Sequence, residues 1–72
     1  MGHRIESELV ANVLTVHVDA GKSVTPGDEL VLLESMKMEI PVVAEQPGRV
    51  AEVKVTAGDV VQEGEVLLVI DD

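Results

Sequence analysis

The sequence predicts an all-β domain, and three observations carry that prediction. Val, Leu and Ile supply 25 of the 72 residues (15, 7 and 3), and 18 of those 25 are β-branched, a bias that suits a pleated surface better than a helix. Apolar residues alternate with polar ones over short stretches bounded by Gly, Pro and Asp, the pattern of half-buried strands between turns. The second half of the chain also repeats the first at an offset of 37 residues.

In chain order, Ile5 to Val10 reads as a weak first strand. Val13 to Asp19 alternates more clearly, with Leu14, Val16 and Val18 expected on the core face and Thr15, His17 and Asp19 facing water. Ala20-Gly21-Lys22 ends that strand, and Val24 is a single apolar anchor. Thr25-Pro26-Gly27-Asp28 has Pro and Gly where a type II turn wants them. Leu30 to Leu33 is a four-residue apolar run, short enough to be a strand buried on both sides. After a turn at Lys37, Ile40 to Ala44 reads as the next strand and Pro47-Gly48 turns the chain. Val50 to Val55 alternates, with Ala51, Val53 and Val55 set against Glu52 and Lys54. The Val60-Val61 anchor, Glu63-Gly64-Glu65 and Val66 to Ile70 complete the pattern.

The repeat is specific. Over the 23 pairs that place Val13–Ser35 on Val50–Asp72 there are eight identities, which keep Ala-Gly, a lone Val and a second Gly in register. Half-repeats at about 5–35 and 42–72, each too small to bury its own face, should close on one another with approximate twofold symmetry in a single domain, 1–72. Closure would also remove sheet edges that invite aggregation. Under the offset Met38 maps onto Met1 and Ser35 onto Asp72, so the counterpart of the Lys37 turn is the gap between the chain ends. Lys37 should therefore project from the pole opposite the termini.

Composition narrows the function classes. The net charge of −9, with five Lys and Arg scattered singly, argues against nucleic acid or an anionic membrane as partner and favours a basic protein surface. With no cysteine there is no disulfide framework and no thiolate chemistry, which suits a reducing, cytoplasmic setting. Residues 1–8 contain no apolar signal region, and Glu6 stands where a myristoylation signal needs a hydroxyl residue. No stretch reaches membrane-spanning length. His17 and Asp19 share a strand face but are too few to form a metal site. The glycines are turn residues, not phosphate cradles, since no helix follows them. No nucleophile–base pair is evident, so no catalytic residue and no metal site is assigned.

One hexapeptide does not fit a folding role. Glu34-Ser35-Met36-Lys37-Met38-Glu39 lies near the midpoint of the chain, at a turn between two strands. Turns favour residues that tolerate tight backbone geometry or bond to it locally, and methionines do neither. A solitary lysine in a turn is ordinarily just solvated; two long apolar neighbours fenced by carboxylates set this one apart.

Glu34-Ser35-Met36-Lys37-Met38 closely resembles the attachment motif of biotinyl domains, the biotin carboxyl carrier modules of biotin-dependent carboxylases, which usually reads Glu-Ala-Met-Lys-Met. The likeness extends to Gly58 to Glu65, its echo at Gly21 to Asp28, and Pro47-Gly48-Arg49-Val50. The resemblance implies a flattened barrel-sandwich of two four-stranded antiparallel sheets with quasi-twofold symmetry and an attachment hairpin at 34–39. It implies that Lys37 carries covalent biotin, attached by a biotin protein ligase, with Met36, Met38, Glu34 and Ser35 as the recognition motif. It further implies a non-catalytic carrier that shuttles CO2 between biotin carboxylase and carboxyltransferase sites, as in an acyl-CoA carboxylase; a closed, acidic, edge-free barrel favours a monomer. Ser35 stands where alanine is usual, which predicts slower ligation at worst. Val10-Ala11-Asn12-Val13 replaces a Pro-Gly-containing turn, and no extra segment is present to form the thumb of some bacterial carriers.

The chemistry can be reasoned from the amine itself. A lysine amine attacks only when neutral, and an ordinary one is neutral in about one molecule in a thousand near pH 7.4. An external ligase must therefore present an activated acyl group. Once acylated, the lysine roots a flexible tether that raises the local concentration of its cargo at successive active sites. Two alternatives share the expected fold. A lipoyl carrier usually has Asp-Lys-Ala at the site, which Met36 and Met38 argue against. An unmodified adaptor barrel would carry a helical hairpin between its half-motifs, and no helical stretch separates Leu33 from Ile40.

Overall fold

A computed structural model describes residues 2–71. Eight strands form: β1 (Gly2–Glu6), β2 (Ala11–Val16), β3 (Ser23–Val24), β4 (Glu29–Ser35), β5 (Met38–Val43), β6 (Gly48–Val53), β7 (Val60–Val61) and β8 (Val66–Asp71). They pair antiparallel in two four-stranded sheets. The terminal sheet has order β1-β8-β6-β3 and the hairpin sheet β5-β4-β2-β7. This is the all-β barrel-sandwich expected.

The 37-residue offset is realised strand by strand. It carries β2 onto β6 and β3 onto β7 without a residue to spare, and it exchanges the two sheet orders. Registers follow: Val13↔Leu33 is repeated by Val50↔Ile70, and Leu32↔Pro41 by Arg4↔Val69. Loop hydrogen bonds are repeated too, as in Gly27 N to Ala44 O and Gly64 N to Ser7 O, both 2.8 Å. Met1 and Asp72, the offset partners of Met38 and Ser35, lie outside the described residues.

The core is built from the same duplication. Val13, Val18, Val24, Leu30, Val31 and Leu33 are buried, and so are their counterparts Val50, Val55, Val61, Leu67, Leu68 and Ile70. Ala11 and Ala44 complete the apolar set. The counterpart of Ala11 is Gly48, where an added Cβ would lie 2.6 Å from both Asp71 O and Ile70 Cγ2. The counterpart of Ala44 is Ser7, the one buried polar residue among those described, whose hydroxyl donates to Leu9 O at 2.6 Å.

Several expectations need correction, and β-bulges explain two of them; separately, the chain bends at Glu45-Gln46, and Gly48, expected in the turn, opens β6. The ladder between β2 and β4 skips Leu14, and that between β6 and β8 skips Ala51. An extra residue inverts the in–out alternation, so Val13 and Val50 are buried while Leu14 is half-buried and Ala51 exposed. Likewise the β4–β5 ladder skips Leu30. Leu30 and Val31 are consecutively buried for that reason, and Leu32 is half-exposed, so β4 is not buried on both sides. Third, β1 runs over Gly2–Glu6 rather than from Ile5 to Val10. Its extent is set by pairing with β8, which polar His3 and Arg4 do not announce, and it ends where Ser7 N donates to Glu65 O.

The turn at Thr25–Asp28 has the expected type II form, with Gly27 at φ 92° and Asp28 N donating to Thr25 O at 3.0 Å. Sheet edges are shortened rather than abolished. Each sheet keeps two, but β3 and β7 are only two residues long and β5 carries Pro41, devices that discourage edge-to-edge pairing.

Candidate functional site

The strands β4 and β5 pair up to Ser35↔Met38, with Glu34↔Glu39 one row behind. That register leaves two residues, Met36 and Lys37, to reverse the chain. Hairpins of this length need a turn whose twist matches the strands, which puts both central residues at positive φ and favours Asn-Gly. Met36 has φ 53° and Lys37 φ 66°. Every other described residue at positive φ is a glycine. An L-residue with a side chain is disfavoured there by about 1–2 kcal/mol, so the hairpin tip is held in strained backbone by the ladder beneath it. Strain of this kind persists only where the surrounding structure over-determines it, and it clusters at functional sites.

The side chains at the tip are turned to solvent. Met36 is 87% exposed and Met38 59%, against an expectation for thioethers of burial in a core. Lys37 and Glu39 are exposed, while Glu34 and Ser35 are half-buried. The hexapeptide Glu34 to Glu39 is thus brought together on one hairpin. Glu34 and Glu39 face one another across the ladder, a like-charged pair that costs stability. Among the described residues no carboxylate forms an ion pair with Lys37. An amine without a partner, on a tip without a covering element, fits a group joined through an amide, because acylation there breaks no contact.

The hairpin points away from the chain ends. From its tip β5 runs six residues, about 20 Å, to a loop where Glu45 and Gln46 share a surface hollow with His3, Arg4, Ile5 and Ile70. Gly2, Asp71 and Arg49 lie in one row across that end of the terminal sheet. The longest dimension of the fold is 33 Å.

Two features escaped the sequence. The left-handed backbone at Met36 and Lys37 was readable only through the register, since the spacing of Ser35 and Met38 alone demands it. His17, read as one of three water-facing residues on its strand, has its Nε2 at 2.5 Å from Glu29 Oε2. That contact depends on β2 pairing with β4 and has no signal in either segment.

Comparisons with known proteins agree with this geometry. The family model described as "Biotin-requiring enzyme" matches residues 2–70. The chain is 51% identical over 70 residues to a protein named biotinylated protein TB7.3 homolog from Mycobacterium leprae, covering 97% of this chain and 99% of that protein. Among solved structures, a single-chain, multi-domain long-chain acyl-CoA carboxylase matches with a TM-score of 0.92 and 34% identity over 97% of this chain, which spans 7% of that chain's length. The solution structure of the lipoyl domain of the 2-oxoglutarate dehydrogenase complex from Azotobacter vinelandii matches with a TM-score of 0.78 and 32% identity, covering 88% of this chain and 80% of that one.

Proposed function

The chain belongs to the biotin/lipoyl attachment family of biotin-requiring enzymes, and from that premise we propose that it is a biotin carboxyl carrier whose Lys37 Nζ is acylated by a biotin protein ligase. The observation that carries the reading is the Met36–Lys37 turn, a two-residue hairpin tip at positive φ without Gly or Asn, with Met36 87% exposed. Folding alone would have selected other residues there.

The amine of Lys37 attacks the carbonyl of an acyl-adenylate held by the ligase, the acyl–phosphate C–O bond breaks, and AMP leaves while the ligase takes the proton. Biotin supplies the carboxyl-carrying chemistry once bound. The protein's part is positional. β4 and β5 carry the tip, and Met36 and Met38 present apolar surface on either side of the amine. The carrier itself is non-catalytic, and its partners are biotin carboxylase and carboxyltransferase components. The likeness to a carboxylase chain supports this assignment. No described helix is long and apolar enough to cross a membrane; a cytoplasmic, monomeric carrier is part of the same proposal, since ligation draws on ATP.

A lipoyl carrier is the second reading, favoured by the likeness to a lipoyl domain. The thioethers on both sides of Lys37 weigh against it. Incubation with biotin, ATP and a biotin protein ligase, beside lipoate and a lipoate ligase, decides between them. Biotin transfer to the parent and none to folded Lys37→Arg supports the carrier, because guanidinium keeps the charge but is not acylated. Transfer from lipoate alone moves the chain to acyl-transfer complexes.

A further inference from the structure

We propose that the outward face of the hairpin sheet is the surface on which the biotin protein ligase docks to reach Lys37, an inference that rests on Lys37 being the acceptor. The internal duplication supplies the comparison that reveals it. Both sheets share strand order, registers and bulges, and matched strands differ by one residue at most, so folding imposes similar demands on their outer faces. Those faces nevertheless differ.

On the hairpin sheet the outward rows of β4 and β5 are Glu34 with Glu39, Leu32 with Pro41, and Glu29 with Val43. Three carboxylates frame an apolar centre, one of them, Glu29, in contact with His17, and no Lys or Arg lies in these rows. Val43 is 41% exposed, and Val60 at the end of the first row is 59% exposed. At the matching places on the terminal sheet, Arg4 stands for Pro41, Glu6 for Val43 and Arg49 for Asn12. Lys54, the counterpart of His17, pairs with Glu52 at 3.1 Å. One face balances its charges and is polar; the other sets carboxylates, with His17 against Glu29 but no Lys or Arg, around exposed Val43 and Pro41 and half-buried Leu32.

Position decides the occupant. Lys37 stands only one two-residue turn beyond β4 and β5, so an enzyme that takes its amine must come against the legs of the hairpin. The acidic, apolar-centred face is continuous with those legs. It matches a partner with a basic rim and an apolar centre, and unbalanced charge of this kind steers encounter. Three rows about 6.6 Å apart on strands about 4.8 Å apart give a patch on the order of 300 Å². That is the scale of a transient contact, suited to an enzyme that must release its product.

The test is steady-state biotin transfer to the intact chain by a biotin protein ligase with ATP and biotin. The double variant Pro41→Arg/Val43→Glu copies Arg4 and Glu6, residues the fold already accommodates at the matching positions, and Arg4→Ala/Glu6→Ala is the control on the other face. The expected result is a KM raised by about tenfold or more for the first variant with kcat unchanged, parent kinetics for the control, and unaltered thermal midpoints for both. The parent KM should also rise with added salt. A folded Pro41→Arg/Val43→Glu chain ligated with parental KM would overturn the inference and leave the face to a partner of the loaded carrier. Loss in kcat alone would overturn it too, since that would mark a displaced hairpin. A parent chain that accepts no biotin would remove the acceptor reading itself, a result distinguishable from either variant-specific one.

Discussion

Replacing Met36 with asparagine should make the protein more stable and a worse ligase substrate. Met36 sits at φ 53°, where asparagine is tolerated because its short polar side chain bonds locally. With 87% of Met36 exposed, almost no burial is lost in the exchange. Relief of a left-handed penalty of about 1–2 kcal/mol, only part of which asparagine recovers, gives an expected gain of about 0.5–1 kcal/mol. For a chain of this size 1 kcal/mol moves the midpoint by about 4–8 °C, so a rise of roughly 2–8 °C should appear in thermal unfolding followed by far-UV circular dichroism. Biotin transfer measured in parallel by intact mass should slow by about tenfold or more, because an apolar contact at the ligase is lost. A Met36→Asn chain less stable than the parent would refute the claim that the ladder holds strained backbone at the tip, and would mean that the thioether contributes packing.

Other perturbations test the frame that presents the hairpin. Leu67→Ala, at a side chain with no exposed surface, should destabilise by about 2–5 kcal/mol in chemical denaturation, a large share of the stability of so small a domain. Gly48→Ala places a Cβ 2.6 Å from Asp71 O; backbone cannot yield as a flexible side chain does, so a loss of about 1–3 kcal/mol is expected in the same assay. Gly27→Ala forces an L-residue to φ 92° and should cost about 1–2 kcal/mol, while the same change at its counterpart Gly64, φ 85°, should cost about as much. Unequal losses at that pair would contradict the energetic equivalence of the two halves.

Much of this fold is legible in the sequence because it is written twice. The buried valines Val24 and Val61 and the glycines at 21, 27, 58 and 64 keep their spacing, and both sets mark the same anchors and turns. Pattern fails where the ladder gains a residue. At Leu14 and Ala51 the bulge inverts the alternation, and period-two reasoning puts the wrong residues inside until Val13 and Val50 are seen to be buried. It fails again at β1, an edge strand whose extent is decided by its partner β8. For the site the balance is reversed. The hexapeptide stands out because it violates turn chemistry, and local violations of this sort are where function is expected. The docking face was invisible, because Glu29, Leu32, Pro41 and Val43 converge only when β4 meets β5.

The most direct measurement is the intact mass of the parent chain after incubation with a biotin protein ligase, ATP and biotin, followed by peptide mapping. A carrier that presents Lys37 on a strained, exposed tip gains one biotinyl group, located on Lys37. No gain on folded protein, or a label spread over Lys22 and Lys54, would contradict it.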